Sequence, residues 1–208
     1  MIRQFLKRLL TESAGIDLVI DVGANESQFG QKIRTFYDGK ILSFEPVSTT
    51  FLKLEKTAAG DPLWEIRKLA LGNQAETKTI NIYGHTDLSS FLGANKLCLD
   101  RFQTAPIARE EIAVRRLDQE VKIDDHSIFL KLDTQGYDLE AFKGASGILG
   151  SVKLLQSEIS LISLYDGMPH WLDTLAVYES AGFKVAALFP VCRESARVVE
   201  FDCLMLKA

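Results

Sequence analysis

Three carboxylates stand at the ends of apolar runs. Asp21 follows "LVI" and opens "DVGAN" (21–25), Glu45 follows "ILSF", and Asp133 follows "FLKL". In an open α/β sheet the crevice that takes a ligand lies outside the carboxyl ends of the strands, so acids placed there meet whatever binds. Gly23, two residues after Asp21, lets the backbone approach a ligand closely. Glu45 lies 24 residues beyond Asp21, the interval at which nucleotide-binding folds place an acid that accepts both ribose hydroxyls. The bland alternative for Glu45 is a solvated acid before a helix start, favoured by the helix dipole.

Asp133 precedes the Gly-containing turn "TQG" and a helical pattern. A carboxylate there can take a proton from an attacking hydroxyl, hold an amine or hydroxyl, or simply cap the turn. Two further bases come from histidines, whose unperturbed pKa of ~6.5 suits proton transfer. His85 begins an irregular stretch, whereas His170 adjoins Trp171 at a helix start and His126 sits in the polar turn "IDDHS". Glu158, at the tip of "VKLLQSEIS", is another acid for the same crevice. Asp133, Glu158 and a histidine show no local ligand spacing, so no metal is expected.

The first turn reads Gly23-Ala24-Asn25-Glu26-Ser27-Gln28. A dinucleotide site wants GxGxxG, so that a pyrophosphate can rest on the turn and the helix start. Here one glycine stands alone and Glu26 would repel phosphates. A phosphate-free ligand carrying an amine and a sulfonium suits it better, which points to S-adenosylmethionine with its positive methionine portion facing Asp21. A dinucleotide-dependent oxidoreductase stays open as the alternative.

The elements that must carry these residues follow from periodicity. Strands are expected at 16–24, 40–45, 64–71, 127–133 and 152–160, with helices over 25–37, from Pro46, over 138–149 and from Pro169 to Gly182. Asn25 with Gln28 suggests a capping pair on the first of these helices. Alternating strands and helices imply a doubly wound, mainly parallel sheet. "FKVAALF" (183–189) and "EFDCLMLK" (200–207), separated by ten mostly polar residues, read as a C-terminal antiparallel hairpin. "TKTINIYG" (77–84) looks like an extra strand, and "EIAVRRLD" (111–118) alternates like one. The stretch 85–110 has no period and is expected to be a substrate-side loop, with the hairpin loop 190–199 as a second acceptor wall. Arg193 and Arg197 in that wall would suit an anionic acceptor.

The 208 residues, 47% hydrophobic and 25% charged, suit one globular domain over 1–208. A net charge of −4 argues against a dedicated nucleic-acid binder. Cys98, Cys192 and Cys203 form no paired framework, which implies free thiols and the cytoplasm. No apolar stretch is long enough to span a membrane. The basic, amphipathic opening 1–14 reads as a helix packed on the domain, with membrane-surface contact as the lesser reading. Whether copies of the chain associate is open.

"VIDVGANESQFG", "ILSFEPVSTTFLKLE", "LALGN", "SSF", "VRRLD" and "FLKLDTQGYDLEAFKGA" together resemble the successive blocks of FkbM-type methyltransferases. The resemblance runs from about residue 18 to 189. It implies a class I methyltransferase, Rossmann-like fold with a seven-stranded sheet, and S-adenosylmethionine-dependent O-methylation of a sugar, glycan or hydroxylated natural product. On that resemblance Asp21, Gly23 and Asn25 form the first cofactor turn, Glu45 binds ribose, Leu71 bounds the adenine, and Asp133 is the acid that ends the fourth strand; with the histidine reading above, Asp133 and His85 are the catalytic candidates. "DLSSF", with Ser90, resembles the substrate-side segment, joined there by Gln135 and Glu158. Family members often carry Glu where this chain has Gln135. The departure leaves a catalytically inactive S-adenosylmethionine-binding scaffold as a further alternative.

Overall fold

A computed structural model describes residues 2–13, 15–122 and 126–208. Five parallel strands form the frame: β1 (Leu18–Val22), β2 (Lys40–Phe44), β3 (Trp64–Arg67), β7 (Ile128–Leu132) and β8 (Val152–Ser160). Between β3 and β7 in the chain, β4 (Ala70–Leu71), β5 (Glu76–Tyr83) and β6 (Pro106–Arg115) make a separate three-stranded sheet in the order β4-β6-β5. A long antiparallel hairpin, β9 (Phe183–Glu194) and β10 (Arg197–Lys207), completes the main sheet in the order β3-β2-β1-β7-β8-β10-β9. This is the doubly wound, seven-stranded sheet with a C-terminal hairpin expected above.

The central strands are apolar because both faces are covered. All five residues of β1 and of β7 are buried. Alternate β7 side chains serve different layers. Ile128, Leu130 and Leu132 pack with Leu139 and Phe142 of α6 (Asp138–Lys143). Phe129 faces the layer holding Ile33 of α2 (Gln28–Arg34) and Leu54 of α3 (Ser48–Ala58). Each such fully buried side chain contributes about 1.5–3 kcal/mol. In the opening helix α1 (Ile2–Arg8), Leu6 is fully buried in that second layer and the Phe5 ring lies 5.6 Å from that of Phe189. That helix therefore packs on the domain.

Several expectations need correction. Asn25 and Gln28 form no cap: Ser27 is the residue before α2, in a left-handed conformation and without a capping side-chain bond. The run 64–71 is two strands, because Arg67 ends the pairing with β2 while Ala70 and Leu71 turn to pair with Val114 and Arg115. Residues 85–110 are not a plain loop. They hold a short turn of 3-10 helix (Thr86–Leu88), the helix α4 (Lys96–Phe102) capped by the Asn95 side chain, and the start of β6. The supposed loop 190–199 is mostly strand, closed by a tight turn with Ser195 at φ 52°. Register shifts along β9 and β10 break the alternation that would have revealed it. The helix from Pro169 starts at Trp171 as α7 (Trp171–Ser180), and Gly182 follows it at φ +88°.

Candidate active site

Gly23 is required by geometry. Its φ is +76°, and a Cβ there would stand 1.9 Å from the carbonyl oxygen of Asp133, so no other residue allows β1 and β7 to release their ends so close together. The Gly23 and Ala24 N–H groups both donate to the Phe44 carbonyl, each at 3.0 Å. The turn is drawn further onto β2 by Glu45, whose carboxylate accepts from the backbone N–H of Asn25 and of Val47, each at 2.9 Å. Burial pushes the Glu45 carboxyl up to about 7, against the pull of those two hydrogen bonds. The Asn25 side-chain oxygen is buried without a protein partner among the described residues.

Beneath the turn lies a residue that motif reading passed over. Lys131, 4% exposed, extends its ammonium to 2.9 Å from Asp21 Oδ1, 3.4 Å from Asp133 Oδ2 and 3.0 Å from the Gly23 carbonyl. Burial alone would lower this ammonium, but the carboxylates of Asp21 and Asp133 outweigh it and hold it above its ordinary value. Asp21 is 0% exposed. It cannot touch a ligand in the cleft, so the expected contact with a positive methionine portion is corrected to an internal ion pair that supports the turn. A lysine inside the buried run "FLKLD" was the available signal, because a central strand tolerates a charge only when it is paired.

A cleft of about 640 Å³ opens above the strand ends, with Gly23, Asn25, Glu45, Leu71 and Asp133 among its walls. Val47, Ile80 and Phe91 add an apolar surface. Of the acceptor-side residues, Ser90 and Gln135 line the same cleft. Ser90 is buried and donates to the Gln135 carbonyl at 2.7 Å. Glu158 lines an adjoining pocket of about 300 Å³ with Gly136, Ser160 and Trp171. Gln135, held at φ 54°, stands between the two, its Nε2 3.0 Å from both Asp133 Oδ1 and Glu158 Oε2. The turn is braced by Asp138, which accepts from the N–H and hydroxyl of Thr134 and from Ser157.

The histidines lie outside this assembly. His85 is exposed, and it is Thr86 and Asp87 after it that reach the cleft. His170 accepts from the Leu172 N–H at the start of α7, and His126 pairs with Asp17 at the opposite end of the strands. Arg193 and Arg197 are exposed on the hairpin, where the Arg193 carbonyl accepts from Arg101. Tyr165, fully buried beside Gln135, had no sequence signal at all. Among the described residues no group of three or more His, Cys, Asp or Glu side chains could hold a metal ion, and no helix is long and apolar enough to cross a membrane.

The family model of the methyltransferase FkbM domain matches residues 21–185. No curated protein sequence matches the chain significantly. Solved structures share the fold. An rRNA methylase from Streptococcus thermophilus superimposes with a TM-score of 0.54 at 14% identity, covering 100% of this chain and 94% of that one. A SAM-dependent methyltransferase from Aquifex aeolicus gives 0.52 at 13% identity, with 99% and 89% covered. The magnesium protoporphyrin IX methyltransferase of Synechocystis, with SAM bound, gives 0.55 at 9% identity, with 100% and 78% covered.

Proposed function

Because the chain belongs to the FkbM methyltransferase family, whose cofactor is S-adenosylmethionine, we propose that its cleft carries out O-methylation of a sugar, glycan or other hydroxylated small molecule. The observation that carries this reading is Glu45: a buried carboxylate on the cleft wall, fixed by two backbone N–H groups. Each of its oxygens keeps a lone pair for a ribose hydroxyl. Val47 and Leu71 offer apolar surface to an adenine, and the Gly23 turn lets the chain pass close to the rest of the nucleoside. The residues present therefore fit the cofactor, which when bound supplies a methyl group on a positively charged sulfur.

The remaining roles follow from charge and access. Asp133 faces the cleft with the Lys131 ammonium 3.4 Å from its Oδ2, and we assign it to the methionine amine. Ser90 and Gln135 shape the acceptor side, and His85, at the exposed start of the same segment, belongs to its outer rim. The three free thiols suit a reducing compartment such as the cytoplasm.

The reading is tested by incubating the protein with S-adenosylmethionine labelled with 13C at the methyl group and a panel of glycosides, hydroxylated aromatics and amines. A new methyl-ether carbon signal is expected. Transfer confined to nitrogen or carbon acceptors would refute O-methylation.

A further inference from the structure

Gln135 occupies a position at which an acid would be easier to read as catalytic, yet its amide is the most constrained polar group of the site. Its Nε2 has two protons and two partners, Asp133 Oδ1 and Glu158 Oε2, each at 3.0 Å. Both partners are carboxylates that only accept when ionised. Its Oε1 lies 2.9 Å from the Tyr165 hydroxyl, which also lies 3.0 Å from the Leu88 carbonyl. The Tyr165 hydroxyl has one proton for these two acceptors, and it is the pair of carboxylates facing Nε2 that sets which way the amide points. Its backbone is held as well, by the Ser90 hydroxyl on the Gln135 carbonyl. Tyr165 is 1% exposed and is tied to the segment before α4 by the bridge between Ala94 and Tyr165.

Resting on the methyltransferase reading above, we propose that Glu158, in the pocket adjoining the cofactor cleft, takes the proton of an acceptor hydroxyl held there, and that Gln135, between the two, is the residue that positions it. In that step the acceptor O–H bond breaks and its proton passes to a Glu158 oxygen. The freed oxygen pair forms the O–CH3 bond, and the electron pair of the S–CH3 bond returns to sulfur, leaving a neutral thioether. Asp133 is less suited to this task because Lys131 already engages it at 3.4 Å.

The surroundings of Glu158 agree. Burial first, then Asp133, Glu200, Asp202 and Asp138 raise its carboxyl well above the ordinary range. Asp202 is its direct partner in the β8–β10 ladder, Glu200 is two residues along the same strand, and Asp138 lies on α6. Against these four carboxylates the Gln135 amide is a donor that favours the ionised form, so Gln135 decides how readily Glu158 gives up its proton.

The test is a pH titration of the protein labelled with 13C at glutamate carboxyl carbons, with Glu158→Gln identifying the signal. Glu158 is expected to titrate above the ~4.3 of a free glutamate. Gln135→Met, which removes the donor, should move it up by about one pH unit. Tyr165→Phe, which keeps the ring and removes the hydroxyl beside Oε1 so that the amide is held less firmly, should move it in the same direction. Calorimetric affinity for S-adenosylmethionine should be unchanged in Tyr165→Phe. A Glu158 signal in the ordinary range, or one that neither variant moves, would overturn the proposal. Absence of S-adenosylmethionine binding by the wild type would instead overturn the cofactor reading, whatever Glu158 does.

Discussion

The Lys131 ammonium and the Asp21 carboxylate form an ion pair at 2.9 Å with 4% and 0% of each residue exposed. The same ammonium donates to the Gly23 carbonyl at 3.0 Å. A charge pair thus lies under the glycine turn and joins β1 to β7, and the side of the turn facing the cleft owes its shape to it.

Removing one member of a buried pair leaves an uncompensated charge. Lys131→Met is expected to lower stability by about 3–5 kcal/mol, measured by urea denaturation. Lys131→Met combined with Asp21→Asn should recover a large part of that loss, because no isolated charge remains. Equal instability of the single and double variants would show that the pair does not carry the effect.

Gly23→Ala should be harmful for two additive reasons. The backbone stays at φ +76°, and the new methyl meets the Asp133 carbonyl oxygen at 1.9 Å. The expected cost is roughly 3 kcal/mol, with cofactor affinity lost alongside stability. A variant with wild-type melting and binding would contradict the close approach of the two strand ends.

Glu45 makes cofactor binding pH-dependent. In the open cleft its carboxyl holds a proton up to about 7. Ribose hydroxyls donate to the ionised form, so binding must release that proton. Affinity should therefore fall as pH drops below 7, by up to about tenfold per pH unit, and level off above it. The proton released on binding is read from calorimetric heats in buffers of different ionisation enthalpy. An affinity that is flat between pH 5.5 and 8 on the order of such measurements would remove Glu45 from the ribose site.

Much of this arrangement could be read from the chain. The apolar runs ending on Asp21, Glu45 and Asp133 locate three strand tips, because parallel strands are buried on both faces and stop where polarity returns. Gly23 and Leu71 line the cleft. What escaped was non-local. Tyr165 meets Gln135 only after the chain has travelled through α6 and β8. Asp21 reads as a ligand contact until its full burial is seen. The helix α4 is only 7 residues long, too short for a helical period to emerge from residues 85–110.

The central claim is that this cleft binds S-adenosylmethionine through Glu45. It is tested most directly by calorimetric titration of the wild type and Glu45→Ala with S-adenosylmethionine, S-adenosylhomocysteine and NADH. Saturable binding of both adenosyl ligands, weakened by about 1–3 kcal/mol in the variant and without NADH binding, is the predicted result. Equal affinity in the two proteins, or binding of NADH alone, would contradict it.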